Sequence, residues 1–455
     1  MTPVLPVLAQ NAWLGVAAAL GGFLVLFAAL LLVSRTGALH GEGTRKLFHA
    51  GSGILTLSFP FLFRDPWPVL LLTGASAALI ASVKFVPPLR ARFGGVANRV
   101  DRTTLGELYF PISVALLFWL TRGEHPLLFV IPILMLTFAD ATCALVGRRY
   151  GLTPYHGASK SLEGSVAFVV VAFFCVHVPL LLWTDIGRVE SLLTAATLAL
   201  LVMVLEGSAW RGLDNLFIPI GGYFLLRAYL VMDETALLAR LLITIGLVIL
   251  VVFARHRTTL EDDSLAAGAF LCYVAWAVMG WPWLMGPLAI LVGYRWLSPE
   301  TPDNSRRMHD VPAMLSVWAP AVAWLAAAGA SGNPDMLFPY TVGFAAHLAI
   351  FGVSRLAYQF PEIPLARIVL RAVVTSAVLV LTPYAAIAGV SARTGMLAIA
   401  GLVAVAVGAA SFAGLQRSIR NTPQDALRWI LQAGSAALAS IVAWLLNLIL
   451  TPLAS

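Results

Sequence analysis

Asp140, Lys160, Glu163, Glu206 and Asp214 stand inside or at the mouths of long apolar runs. An ionisable side chain there costs free energy unless it meets a counter-charge, water or a ligand. Asp140 follows the run Leu127 to Leu136, and two helical turns later come Gly147, Arg148 and Arg149. A carboxylate so placed can hold a hard cation whose other ligands are phosphate oxygens and water, and a glycine lets a ligand approach the backbone. The segment ASKSLEGS offers Lys160 as a point charge, Ser161 as a helix N-cap and Glu163 in the first turn. LEGSAWRGLDNLFIPIG adds Glu206, Asp214 and Asn215, acids and an amide suited to a metal or to accepting a hydroxyl proton. Arg45, Lys46 and His49 open another span, and GELYFPISV places Glu107 just inside one more. Each segment alone has a plainer reading: a stop-transfer cluster, a packing acid, a cap or a turn. Together they are the inventory for positioning and neutralising a nucleotide triphosphate.

The elements that must position these groups are membrane helices. Of 455 residues 60% are hydrophobic and 11% charged, and the mean hydropathy is +0.88, beyond what a water-soluble domain can bury. Runs such as Ala12 to Val33, Ser165 to Trp183 and Ala236 to Phe253 approach the roughly 20 residues that cross a hydrocarbon core. The expectation is an all-α, polytopic transmembrane helical bundle of about 16 spans with its N-terminus outside. The net charge of +7 follows the membrane rather than nucleic acid, because most of the 29 Lys and Arg residues fall on alternate loops. These include Arg35, Arg90, Arg92, Arg99, Arg102, Arg211, Arg255 and Arg306, and the rich side is read as cytoplasmic. The motif-bearing segments open on that same side. The loops that carry them include Pro87 to Leu105.

Several classes fall away. The lysine segment is no P-loop, since Ala158 and Ser159 separate Gly157 from Lys160. His125, His156, His177 and His347 lack ligand spacing, so zinc is not expected. Cys143, Cys175 and Cys272 lie in apolar runs and read as packing residues. Chemistry-bearing residues thin out after about residue 220. The expected organisation is a catalytic membrane domain over 1–232 and a second helical domain over 233–455.

RKLFHAGSG from Arg45, GELYFP from Gly106, ADATCALVGRRYG from Ala139, KSLEGS from Lys160 and GLDNLFIP from Gly212 together resemble the membrane CTP-dependent isoprenoid alcohol kinases, phytol kinase and dolichol kinase. The resemblance covers about half the chain. It implies CTP, or sometimes UTP, as donor, Mg²⁺ as cofactor and a lipid alcohol such as phytol, geranylgeraniol or a polyprenol as acceptor. On that basis Arg45, Lys46, Gly147, Arg148 and Lys160 are expected at the nucleotide, and Asp140, Glu163 and Asp214 at the metal. Asp140, Lys160, Glu163, Glu206 and Asp214 are expected to carry the chemistry, at a site facing the cytoplasm. Lys160 and Glu163 also resemble a stretch of the CDP-diacylglycerol synthases, which makes a lipid cytidylyltransferase the alternative enzyme. GLDNLFIP stands where that family's HGG-x-x-DR-x-D signature would be. A transporter or structural membrane protein is the remaining class. The part after Thr259 resembles phytyl-phosphate kinase-like membrane proteins, but FAAHLAIFGVSRLAYQ has no acid where one is expected, so a degenerate or scaffolding role is expected there.

Overall fold

A computed structural model describes residues 11–35, 42–87, 105–156, 160–255, 258–297, 309–416, 419 and 425–454. The loop 88–104, with Arg90, Arg92, Arg99 and Arg102, lies outside them. The chain forms an all-α, multi-pass membrane protein. Among the described residues eleven helices are long and apolar enough to cross a bilayer, and two shorter apolar helices accompany them. The sequence-based figure of about 16 exceeds that number. Helices such as Glu42–Thr56, Gly106–Leu120, Asp214–Tyr229 and Met285–Leu297 are only 13 to 16 residues long.

The chain divides into two compact units, Met1–Ala254 and Arg255–Ser455. The first holds α1 (Ala12–Arg35), α2 (Glu42–Thr56), α3 (Pro66–Phe85), α4 (Gly106–Leu120), α5 (Leu127–Tyr150), α6 (Leu162–Trp183), α7 (Arg188–Ser208), α8 (Asp214–Tyr229) and α9 (Glu234–Ala254). This division falls one helix beyond the boundary at 232, because α9 packs back on α7 and buries Leu237 and Thr244. The opposite side of α9 exposes Leu238, Leu242, Ile249 and Phe253, a stripe that hydrocarbon solvates and water would not.

Helix α5 is the centre of this unit, touching α2, α6 and α8. It is not a regular α-helix throughout. Pro132 lies within it, and a π-helical turn over Met135–Ala139 immediately precedes Asp140. Proline removes a backbone donor and disturbs the ladder, and such wide turns often occur where a helix presents functional groups. Gly53 of α2 crosses this turn so closely that a Cβ there would collide with the Thr137 side chain.

The second unit contains α10 (Asp262–Met279), α11 (Met285–Leu297), α12 (Val311–Ser331), α13 (Leu337–Gln359), α14 (Leu365–Ala388), α15 (Ala392–Leu415) and α16 (Ala426–Ala454). Helix α13 is its core, packed against α11, α12, α14, α15 and α16. Its His347 is buried, with Nδ1 2.9 Å from the Gly343 carbonyl and Nε2 3.1 Å from the Ser316 carbonyl, and the ring nitrogen that carries the proton donates to its carbonyl. Gln432 donates to the Ser316 hydroxyl at 2.9 Å. These bonds tie three helices together, a structural use of polar groups in an apolar bundle. Asp262 pairs with Arg255 at 3.0 Å, and Asp263 accepts from the Ser264 amide at 2.7 Å, so both acids serve the start of α10.

Candidate active site

The site is assembled in the first unit from the starts of α2 and α6, the last turn of α7 and the middle of α5. Helix α2 brings Lys46 to Asp140 of α5, with Nζ 2.8 Å from Oδ2. Lys160, just before α6, reaches the last turn of α7 and lies 3.0 Å from Glu206 Oε1; its ammonium also donates to the Glu206 carbonyl. Both carboxylates are nearly inaccessible, Asp140 at 5% and Glu206 at 3% exposure, so each is held where an unpaired charge would be costly. The two pairs form one electrostatic cluster. The charges of Lys160 and His49 also act on Asp140, and those of Asp140 and Asp214 act on Glu206. Burial draws the Lys160 ammonium toward its neutral form, but the carboxylates of Glu206 and then Asp214 more than offset this and leave its pKa pushed up to about 12. Lys160 is therefore a fixed cation at physiological pH.

One carboxylate oxygen of the two ion pairs is unsatisfied. Oε2 of Glu206 is buried and has no hydrogen-bond partner among the described residues. Leaving a buried carboxylate oxygen in that state costs on the order of 1–3 kcal/mol or more, and a site that binds a proton donor or a cation recovers it.

Local sequence explains how these groups are presented. Ser161 caps α6, its hydroxyl accepting from the Gly164 amide at 3.2 Å, as its residue type and position foretold. The loop before it closes on itself: the Tyr155 amide donates to the Lys160 carbonyl at 2.8 Å, and the Leu162 amide to that of Thr153 at 3.0 Å. Both oxygens of Glu163 accept from the Thr153 amide, at 3.0 and 3.2 Å. The Tyr155 and Ser165 hydroxyls are 2.8 Å apart. Glu163 thus holds the loop that aims Lys160. Gly147 and Gly164 let α5 and α6 meet at backbone distance. A Cβ on Gly164 would sit 2.9 Å from the Cys143 carbonyl and 3.3 Å from the Gly147 Cα. Asn215 donates to the Gly106 carbonyl at 3.0 Å, and Gly212, at φ +90°, lies against Gly106 so tightly that no side chain fits. This contact joins the GLDN turn to the start of α4.

The structure therefore gathers Lys46, Asp140, Lys160 and Glu206, with Asp214 near enough to act electrostatically. Arg148 is exposed at the end of α5. Arg45 belongs to α2, and its side chain lies outside the described residues. Among the described residues no three His, Cys, Asp or Glu side chains form a group that could by itself hold a metal ion. Sequence reasoning missed the π-helical turn and the Thr153–Glu163 clamp. Pro132 was the available signal for the first; the second joins residues across a loop and left none.

No model of a known protein family matches the chain, and no solved structure does. Two curated proteins do. Phytol kinase of Synechocystis sp. (strain ATCC 27184 / PCC 6803 / Kazusa) is 34% identical over 211 residues, covering 46% of this chain and 87% of that protein. Dolichol kinase of Saccharomyces cerevisiae is 29% identical over 189 residues, 39% of this chain and 35% of the yeast protein. Identity above 30% across most of the cyanobacterial protein makes this chain a member of the phytol kinase family, within the membrane isoprenoid alcohol kinases.

Proposed function

We propose that the first unit transfers the terminal phosphate of CTP to the hydroxyl of a membrane isoprenoid alcohol. The observation that carries this reading is the juxtaposition of the Lys46–Asp140 and Lys160–Glu206 pairs, near one end of α2, α6 and α7 and the middle of α5, with Glu206 Oε2 left unsatisfied. An ammonium has three donors, so each lysine can keep its carboxylate and still bond a phosphate oxygen. Lys46 and Lys160 then neutralise charge on the phosphates, and Lys160, fixed by the clamped loop, sets their position. Glu206 accepts the proton of the attacking hydroxyl through Oε2 as the new P–O bond forms and the CDP oxygen leaves. Asp140 is the carboxylate that would hold a Mg²⁺, an ion usually bound through one or two carboxylates. When bound, it would supply positive charge that offsets the charge on the nucleotide phosphates.

Because CTP is a cytoplasmic nucleotide, this end of the helices is assigned to the cytoplasm, in keeping with the basic loops. The alcohol's hydrocarbon chain remains in the bilayer and only its hydroxyl must reach the interface. Purified full-length protein in nanodiscs, given CTP, UTP or ATP with phytol, geranylgeraniol, a polyprenol or diacylglycerol, tests the reading. The expected product by mass spectrometry is an isoprenoid monophosphate formed with CTP or UTP. Phosphorylation of diacylglycerol alone, or of no alcohol, would contradict it.

A further inference from the structure

The helices that supply Lys160 and Glu206 also share an apolar groove deeper in the membrane. It is an open groove of about 320 Å³, lined by Val169, Val170, Phe173 and Phe174 of α6 and Ala196 and Leu200 of α7, with Val170 and Phe174 exposed. Leu200 lies roughly six residues from Glu206, a depth of about 9 Å, and Phe174 roughly thirteen beyond Ser161, about 20 Å. The groove therefore begins beneath the charged cluster and runs away from it. Between the two lie Val166 and Met203, which continue its helix stripes toward the site through the accessible positions Val166, Val170 and Phe174 on α6 and Ala196, Leu200 and Met203 on α7.

Beyond its far end the two helices are tied together. His177 Nδ1 and Ser191 Oγ are 3.0 Å apart and tie α6 to α7, and the Phe173 ring lies 5.1 Å from that of His177. A seam with an apolar lining, a polar foot and a phosphoryl-transfer cluster at its head differs from an ordinary lipid-facing surface. The geometry points to this groove as the seat of the acceptor's hydrocarbon chain, with Phe173 and the His177–Ser191 pair limiting how much chain it takes. The inference rests on the proposed kinase reading and adds the subsite that selects the acceptor. An apolar occupant of several isoprene units matches both the lining and the depth, and its hydroxyl end would emerge toward Glu206.

The test fills the groove without touching the charged residues. Ala196→Leu and Ala196→Trp are prepared as full-length protein, and their melting temperatures are compared with that of the unaltered chain. With CTP, the KM for geranylgeraniol is expected to rise at least about tenfold in the Trp variant and less in the Leu variant, while kcat/KM for the short, soluble alcohol prenol stays unchanged. Equal losses for both alcohols, or no loss for either, would overturn the assignment. A second measurement needs no turnover: a diazirine analogue of geranylgeraniol should label residues 166–174 and 196–203, in competition with geranylgeraniol but not with excess phosphatidylcholine. Labelling spread over the lipid-facing helices, insensitive to geranylgeraniol, would mean that the groove holds only bulk lipid. Specific labelling without any phosphorylation would instead keep the groove and reject the kinase reading.

Discussion

Replacing Asp140 by Asn is expected to lower CTP-dependent transfer by at least about 10²-fold while the protein stays folded in detergent. The amide nearly matches the carboxylate in shape and can still accept a hydrogen bond from Lys46, now 2.8 Å from Oδ2. It cannot supply an anionic ligand beside the nucleotide phosphates or balance two lysines. Lys46 is 16% exposed, so its ammonium can turn toward water when the partner is neutralised, and the stability loss should be small. Initial rates over a Mg²⁺ titration, together with a melting curve of the same preparation, check both halves of the claim. Near-normal turnover at limiting Mg²⁺ would show that Asp140 serves packing alone.

Removing the lysine of the Lys160–Glu206 pair should behave differently, because it strands a buried carboxylate, Glu206 being only 3% exposed, instead of leaving an ammonium that can turn toward water. Lys160→Met leaves a buried carboxylate without its cation and is expected to cost about 3–5 kcal/mol of stability. Adding Glu206→Leu removes the stranded charge, and the double variant is expected to recover most of that loss. Transfer should be abolished in the single and double variants alike, since one lacks the cation that positions phosphate and the other lacks the proton acceptor as well. Unfolding free energies and turnover per folded molecule, measured in parallel, separate the two roles. A stable double variant that retained transfer would leave Glu206 without a chemical part.

The membrane class and the chemistry-bearing segments were legible in the sequence because both are local. Long apolar runs declare spans one at a time, and an acid within such a run is conspicuous. Ser161 was recognisable as a cap for the same reason, since an N-cap depends on its own few residues. Partners were not legible. Lys46 and Asp140 are 94 positions apart and Lys160 and Glu206 are 46 apart, so nothing local says which cation meets which acid. Glu163 shows the limit most clearly: its type and place suited catalysis, and nothing local announced that its carboxylate accepts from the Thr153 amide. The division of the chain illustrates the same point at larger scale. The polar break near Asp233 is visible in sequence, but the return of α9 onto α7 is a tertiary choice, and it carries the first unit on to Ala254.

The fate of the nucleotide's phosphates tests the central claim most directly. Purified protein is incubated with geranylgeraniol and CTP labelled at either the γ- or the α-phosphate, and the lipid extract is counted against the aqueous phase. The proposed mechanism predicts γ-label in a lipid monophosphate, unlabelled lipid from α-labelled CTP, and CDP as the nucleotide product. Release of γ-label as pyrophosphate, with α-label entering the lipid only when a lipid phosphate is supplied, would identify a cytidylyltransferase and contradict the account.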